Sequence, residues 1–229
     1  MQPLNPEMIL NAYALGLFPM ADSADAGEIY WYDPEMRGQM PIATLHVPRR
    51  LRKTLRRAPY KVTFNRDFET VIDQCAAVRQ ETWINRQIRD VFIALHQAGF
   101  AHSIEAWRGG ECVGGLYGLA LGGAFFGESM FSTATDASKI CLVHLAAHLK
   151  KQGFEVFDTQ FINDHIKQFG VYEIPRKEYL EKLEEVIFRL VSFVPYSAGS
   201  ADSSSSAAVS FDSDSDSVTL FLQSITQTS

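Results

Sequence analysis

Apolar residues recur at helical spacing along several stretches of the chain. Residues 5–16, NPEMILNAYALG, begin with Asn5 as a cap and Pro6 in the first turn and close at Gly16, which predicts a helix. Residues 67–77 carry Phe68, Val71, Ile72 and Cys75 on one face, and residues 85–98 carry Ile88, Val91, Phe92 and Leu95. Both patterns predict amphipathic helices, the second stopped by Gly99. Pro48 opens a basic helix over 48–58. Asp136 is expected to cap a long helix that runs to about Lys151 and closes at Gly153. A short helix or turn is expected over 165–169 and a last helix over 176–190.

Elsewhere the period shortens. Residues 28–45 alternate weakly and are broken by Pro34 and Pro41, so they read as short strands and loops. Residues 60–64 and 154–161 each read as a strand. HSIEAW, ECVGGLYGLAL and AFFGESMF predict three strands, with Gly109-Gly110 and Gly122-Gly123 as the hairpin turns. From Ser197 the chain is rich in Ser, Asp and Ala and is expected to be disordered, VTLFL (218–222) being an apolar patch within it. Antiparallel strands, a helix, then a further strand and helix make a mixed α/β (α+β) pattern that suits a GNAT-like acyltransferase core. The expected division is a small N-terminal α/β domain over 1–60, a catalytic domain over 61–196 and a tail over 197–229.

Composition adds three points. No apolar run approaches the roughly 18 residues of a membrane span, and no basic residue precedes the first apolar stretch as in a secretory signal. Cys75, Cys112 and Cys141 are odd in number and far apart, which fits a reducing cytoplasm and suggests neither a disulfide framework nor a zinc site. The net charge of −6 hides an asymmetry. Residues 46–66 hold Arg49, Arg50, Arg52, Lys53, Arg56, Arg57, Lys61 and Arg66 with no acid, whereas 197–229 hold only acids. A cationic patch without internal pairs attracts phosphates, although a basic helix is more often a solvated face. Trp31, Tyr32 and Trp83 are candidates for stacking on bases, core packing being the alternative.

The chemistry-bearing positions are few. By strand alternation Asp158 and Gln160 share a face, and Asn163 follows just beyond. Their bland role would be to satisfy loop backbone groups. Glu128 stands among Phe125, Phe126, Met130 and Phe131, where a carboxylate is costly unless partnered. It either pairs with a base or serves a pocket by holding an amine or moving a proton. Alternation puts it beside Phe126 and Met130 unless Gly127 makes a bulge. His144 and His148 are four apart, but HLAAH lacks the glutamate of a metalloprotease helix and no third ligand is evident, so they read as solvent-side residues and no metal site is expected. The turn 132–136, STATD, has no glycine to cradle a pyrophosphate, and an acid at the helix start would repel it. That points away from CoA.

AYALGLFPM (12–20), WINRQI (83–88), HSIEAW (102–107), VGGLYG (113–118), FFGESMFS (125–132), ASK (137–139), DTQ (158–160), NDH (163–165) and EIPR (173–176) closely resemble the bacterial leucyl/phenylalanyl-tRNA–protein transferases. The resemblance implies transfer of leucine or phenylalanine from its tRNA to proteins beginning with Arg or Lys, marking them for degradation, with no cofactor and no membrane partner. It implies Asp158 and Gln160 as the catalytic pair with Glu128 as an essential neighbour. Phe125, Met130, Leu142 and Phe157 would line the aminoacyl side-chain pocket. Trp83 would help place the terminal adenosine, and Arg49, Arg50, Arg52, Lys53, Arg56 and Arg57 would hold the acceptor stem. Ser132 and Asn163 are further site candidates. Thr159 replaces a Cys found in some members and is expected on the other strand face, and Ser132-Thr133-Ala134 replaces a common Ser-Arg. The alternatives are a FemX-like transferase using another aminoacyl-tRNA and a non-catalytic tRNA-binding adaptor.

Overall fold

The computed structural model describes residues 4–78, 81–194 and 211–226. In chain order the elements are α1 (Pro6–Ala14), β1 (Phe18–Ala21), β2 (Ile29–Tyr32), β3 (Met36–Gln39), α2 (Arg49–Arg57), β4 (Lys61–Phe64), α3 (Phe68–Ala77) and α4 (Arg86–Gln97). They continue with β5 (Ala101–Arg108), β6 (Glu111–Leu121), β7 (Ala124–Ser132), α5 (Ala137–Gln152), β8 (Val156–Gln160) and α6 (Asp164–Lys167). Last come β9 (Tyr172–Pro175), α7 (Arg176–Val186), β10 (Phe211–Asp212) and α8 (Ser215–Thr226). The mixed α/β architecture is the one the pattern predicts, and it is consistent with an α+β acyltransferase fold. Among the described residues no helix is long and apolar enough to cross a membrane.

One eight-stranded sheet runs in the order β10-β4-β5-β6-β7-β8-β3-β9. Every neighbouring pair is antiparallel except β7 and β8, which are parallel and joined through α5. The long hairpins β5–β6 and β6–β7 form where the sequence offers apolar runs separated by Gly109-Gly110 and Gly122-Gly123. One face of the sheet packs against α2, α5 and α8, the other against α1, α3, α4 and α7. Burial on both faces explains why the central strands read as near-continuous apolar runs.

The described residues before 61 pack into the same two clusters as the rest of the chain. Ile9 and Tyr13 of α1 join Phe68 and Phe126, Leu51 of α2 joins the cluster around α5, and β3 lies inside the main sheet between β8 and β9. The tail is not structureless throughout. β10 pairs with the edge strand β4, and Val218, Phe221 and Ile225 bury one side of α8 against the core. The apolar i, i+3, i+7 spacing of those residues outweighs the polar composition around them. Residues 197–210 and 227–229 of the expected tail lie outside the described residues. Asp136 does not cap α5 with its side chain: it adopts a left-handed backbone (φ 60) and lies within 3.4 Å of Lys139. Ser132 takes over part of that role, its Oγ accepting from Ser138 N at 3.2 Å.

Candidate active site

Strands β7 and β8 splay apart at their C-terminal ends, and a cavity of about 390 Å³ opens between them, α5 and α6. Met130, Leu142 and Phe157 line it, and Met40, Leu116 and Ile166 complete an apolar floor. Phe125 does not reach it. That ring lies behind the wall, edge-on to Phe157 (5.5 Å between centroids) and stacked on Phe193 (5.6 Å). Ser132 and Asn163 stand at the rim, and Asn163 Oδ1 caps α6 by accepting from His165 N at 3.0 Å. The size and the apolar lining with a few polar groups are those of a small-ligand site.

Glu128 is placed by a bulge. In the β6–β7 ladder Tyr117 faces Ser129 and Gly118 faces Gly127, so Glu128 has no cross-strand partner. The extra residue breaks the alternation: Phe126 packs with Tyr13 on one side of the sheet, while Met130 borders the core on the other. Gly118 permits the close approach, since a Cβ there would lie 2.3 Å from Phe126 O. The Tyr13 hydroxyl donates to Glu128 Oε1 at 2.7 Å. Burial pushes the Glu128 carboxyl up to about 8, and the Asp158 charge adds to this, while the Tyr13 hydrogen bond and Arg37 pull the other way. Glu128 is a cavity-lining carboxylate that stays largely protonated at neutral pH.

Asp158 and Gln160 do not line the cavity. Phe157 and Thr159 face it, so Thr159 is a wall residue rather than one turned away from the site. Asp158 points to the opposite face of β8, where it is fully buried against Arg37 (1% exposed). Arg37 Nη2 donates to Oδ2 at 2.6 Å and Nε lies 3.0 Å from both carboxylate oxygens. The Tyr179 hydroxyl donates to Oδ2 at 2.8 Å and the Gln160 backbone N–H to Oδ1 at 2.9 Å. Gln160 has a positive φ of 55, which turns its side chain out of the strand's alternation. Its Nε2 is buried with no hydrogen-bond partner among the described residues. Ser129 Oγ and Thr159 Oγ1, both at the cavity, share that condition.

Three residues of this site escape the sequence reading: Tyr13, Arg37 and Tyr179. A buried carboxylate demands a partner, which is a general signal, but nothing in MRGQM marks Arg37 as the cation that supplies it. The histidines are also corrected. His148 is buried, with Nε2 2.6 Å from Phe193 O, and His144 Nδ1 lies 2.5 Å from Ser213 Oγ. Docking of residues 193 and 213 on α5 buries His148 and covers part of His144.

The basic helix α2 stands apart from the cavity. Arg49, Arg50, Lys53, Arg56 and Arg57 are exposed and Arg52 is half-buried. None of these six forms an ion pair among the described residues. Arg52 and Arg56 border a groove of about 540 Å³ whose other wall is α8, with Ile140 and His144 of α5 between. Ser138 and Leu142 face the cavity from another stripe of α5, so that helix separates the two sites. Trp83 is half-buried on the loop before α4, its carbonyl accepting from Ala21 N, and does not line the cavity. Trp31 and Phe161 are exposed aromatics, and Phe161 directly follows Gln160.

Comparison with known proteins bears on this arrangement. The family model described as leucyl/phenylalanyl-tRNA protein transferase matches residues 39–184, and the model of that family's N-terminal domain matches residues 2–35. A leucyl/phenylalanyl-tRNA–protein transferase of Paramagnetospirillum magneticum is 52% identical over 190 residues, 82% of this chain and 91% of the relative. The protein of the same name from Rhodopseudomonas palustris strain HaA2 is 49% identical over 193 residues, 83% of this chain and 86% of the relative. The family matches end at residue 184, before β10 and α8.

Proposed function

The chain belongs to the leucyl/phenylalanyl-tRNA protein transferase family, and on that premise we propose that it moves leucine or phenylalanine from aminoacyl-tRNA to the α-amine of proteins that begin with Arg or Lys. The acceptor would thereby gain a bulky apolar N-terminus that marks it for degradation in the cytoplasm. The observation that carries this reading is an apolar cavity of about 390 Å³ with one carboxylate, Glu128, in its wall. An aminoacyl group bound there would put its side chain among Met130, Leu142 and Phe157 and its α-amine near Glu128. Free α-amines titrate near about 7.7–8.0, and Glu128 is pushed up to about 8. At neutral pH both groups are largely protonated when apart, so a pair that shares one proton would release about one proton on binding.

The reaction is aminolysis of an activated ester. The acceptor nitrogen bonds to the aminoacyl carbonyl carbon, the bond to the ribose oxygen breaks, and the amine's proton ends on that oxygen. Gln160 is the group we assign to orienting the attacking amine: its carboxamide oxygen would accept from the amine N–H, and its Nε2, which has no hydrogen-bond partner among the described residues, would be left to donate to an oxygen of the substrate. Asp158 would act by holding Gln160 rather than by taking a proton, since its oxygens already serve Arg37, Tyr179 and the Gln160 N–H. Positioning supplies most of the acceleration in such a site. The unpaired cations of α2 would grip the phosphates of the acceptor stem, and Trp83 would assist at the terminal adenosine.

The test is transfer of labelled leucine from charged tRNA to an Arg- or Lys-initiated peptide. Label on the peptide is expected. Binding of Leu-tRNA without transfer would select a non-catalytic adaptor and overturn the proposal.

A further inference from the structure

Arg37 accounts for nearly all of its buried donors. Nε and Nη2 serve Asp158, and Nη1 donates to Gly16 O at 2.7 Å. The rings of Phe18 and Tyr179 cover the guanidinium, 4.7 and 4.5 Å from its central carbon. A buried ion pair is by itself weak evidence of stabilisation, so this much organisation calls for another reason. It is found two residues along β8. Gln160 carries a Cβ in the left-handed backbone region, a conformation that costs roughly 1–2 kcal/mol and persists only where its surroundings enforce it. What enforces it is the Gln160 N–H, tied at 2.9 Å to the carboxylate that Arg37 clamps. On the other side of β8 the ladder with β3 shifts register between Gly38 and Gln39, and Gly38 is the residue opposite Gln160.

We infer that Arg37 is a positioning residue of the transfer site: through Asp158 it fixes the strained Gln160 backbone and so aims the Gln160 carboxamide. Asp158 is the rigid link between a guanidinium on β3 and an amide at the end of β8. The segment before β3 takes part, because Gly16 and Phe18 help hold the guanidinium. The inference rests on the transferase reading given above.

A double-mutant cycle on kcat tests it, with leucine transfer from Leu-tRNA as the readout. Arg37→Lys keeps the charge and loses the fork; Gln160→Gly removes the carboxamide and tolerates the positive φ. Arg37→Lys should lower kcat about tenfold or more while leaving KM for Leu-tRNA nearly unchanged. In the Gln160→Gly background the same change should have no further effect. A merely structural role would cost the same factor in both backgrounds, and that result, or wild-type kcat in Arg37→Lys, overturns the inference. Tyr179→Phe removes one hydrogen bond to Asp158 without unpairing a charge. It should show the same non-additivity at smaller size if Arg37→Lys fails to fold, and additivity there would overturn the inference equally. Absence of transfer by the unmodified chain instead sinks the transferase reading on which the inference stands.

Discussion

Replacing Glu128 with glutamine should abolish the loss of stability that its raised carboxyl is expected to cause as pH rises above neutral. The ordinary carboxyl value is 4.5, and in the folded protein Glu128 is pushed up to about 8. Between these values the folded state holds a proton that the unfolded chain has released. The contribution of Glu128 is therefore fully present below 4.5, shrinks as pH rises, and is gone above 8. The slope is about 1.4 kcal/mol per pH unit for one proton, so the span from 4.5 to about 8 corresponds to about 5 kcal/mol at most. From pH 6.5 to 8 a carboxyl at about 8 loses at most about 1.6 kcal/mol. The buried imidazoles, whose unfolded value is 6.5, add an opposite gain at the lower end of this window that is common to the protein and its variant. Urea unfolding followed by tryptophan fluorescence at half-unit steps reads the Glu128 part as the difference between the two midpoint profiles. The Glu128→Gln midpoint should rise relative to that of the unmodified protein over this window, because its amide accepts from Tyr13 and does not titrate. Parallel profiles for the two proteins would mean that Glu128 is ionised at neutral pH and that the proton-sharing argument fails.

Acid should act through other groups. Burial pushes His102 down to about 3 and His148 to about 4, so their stabilisation is intact above 6.5 and is lost as pH falls, by at most about 1.4 kcal/mol per unit each; His102→Gln should make the acid limb of the same urea profile shallower. Neutralising Arg52, Lys53 and Arg56 together should weaken every tRNA alike and reduce the slope of log affinity against log salt by up to about 3, measured by filter binding across a NaCl series. Phe221→Ala removes a buried ring from α8 and should speed hydrogen exchange in 215–226 while the amides of β5–β7 stay protected, since β10 joins the sheet only at its edge and α8 packs on the outside of α5.

Much of this fold was legible because the central strands and amphipathic helices obey one period each. Ile88, Val91, Phe92 and Leu95 could only be one face of a helix, and all four are buried. What escaped was set by contacts distant in sequence. β3 has no apolar alternation of its own, because Arg37, Gly38 and Gln39 are buried between β8 and β9 by pairing rather than by hydropathy. At the site, alternation led to Asp158 and Gln160 sharing a face. The positive φ at Gln160 breaks that rule, and no residue type there announces it, since glycine or asparagine is what such a position usually holds. The bulge at Glu128 was conditional on Gly127 and turned on a one-residue shift that only the β6–β7 register displays. The docked α8 was masked by its serines and aspartates, which face outward while Val218, Phe221 and Ile225 face in.

Two carboxylates tie the residues before 61 to the rest of the chain. Glu128 and Asp158 sit on the neighbouring parallel strands β7 and β8, and neither finds its main partner within residues 61–194. Glu128 is met by Tyr13 from α1, and Asp158 by Arg37 from β3. For Asp158, a buried charge stripped of its partner costs about 3–5 kcal/mol, and a domain's whole stability is only about 5–15 kcal/mol. A catalytic core that began after residue 60 would lose Arg37 and Tyr13 together, along with β3 from the middle of its sheet. Such a core would also lose the pairing of Gly38 with Gln160, which together with Asp158 holds the Gln160 backbone. In this chain α1 and β3 therefore supply the groups that meet Glu128 and Asp158, Tyr13 by a hydrogen bond and Arg37 by an ion pair.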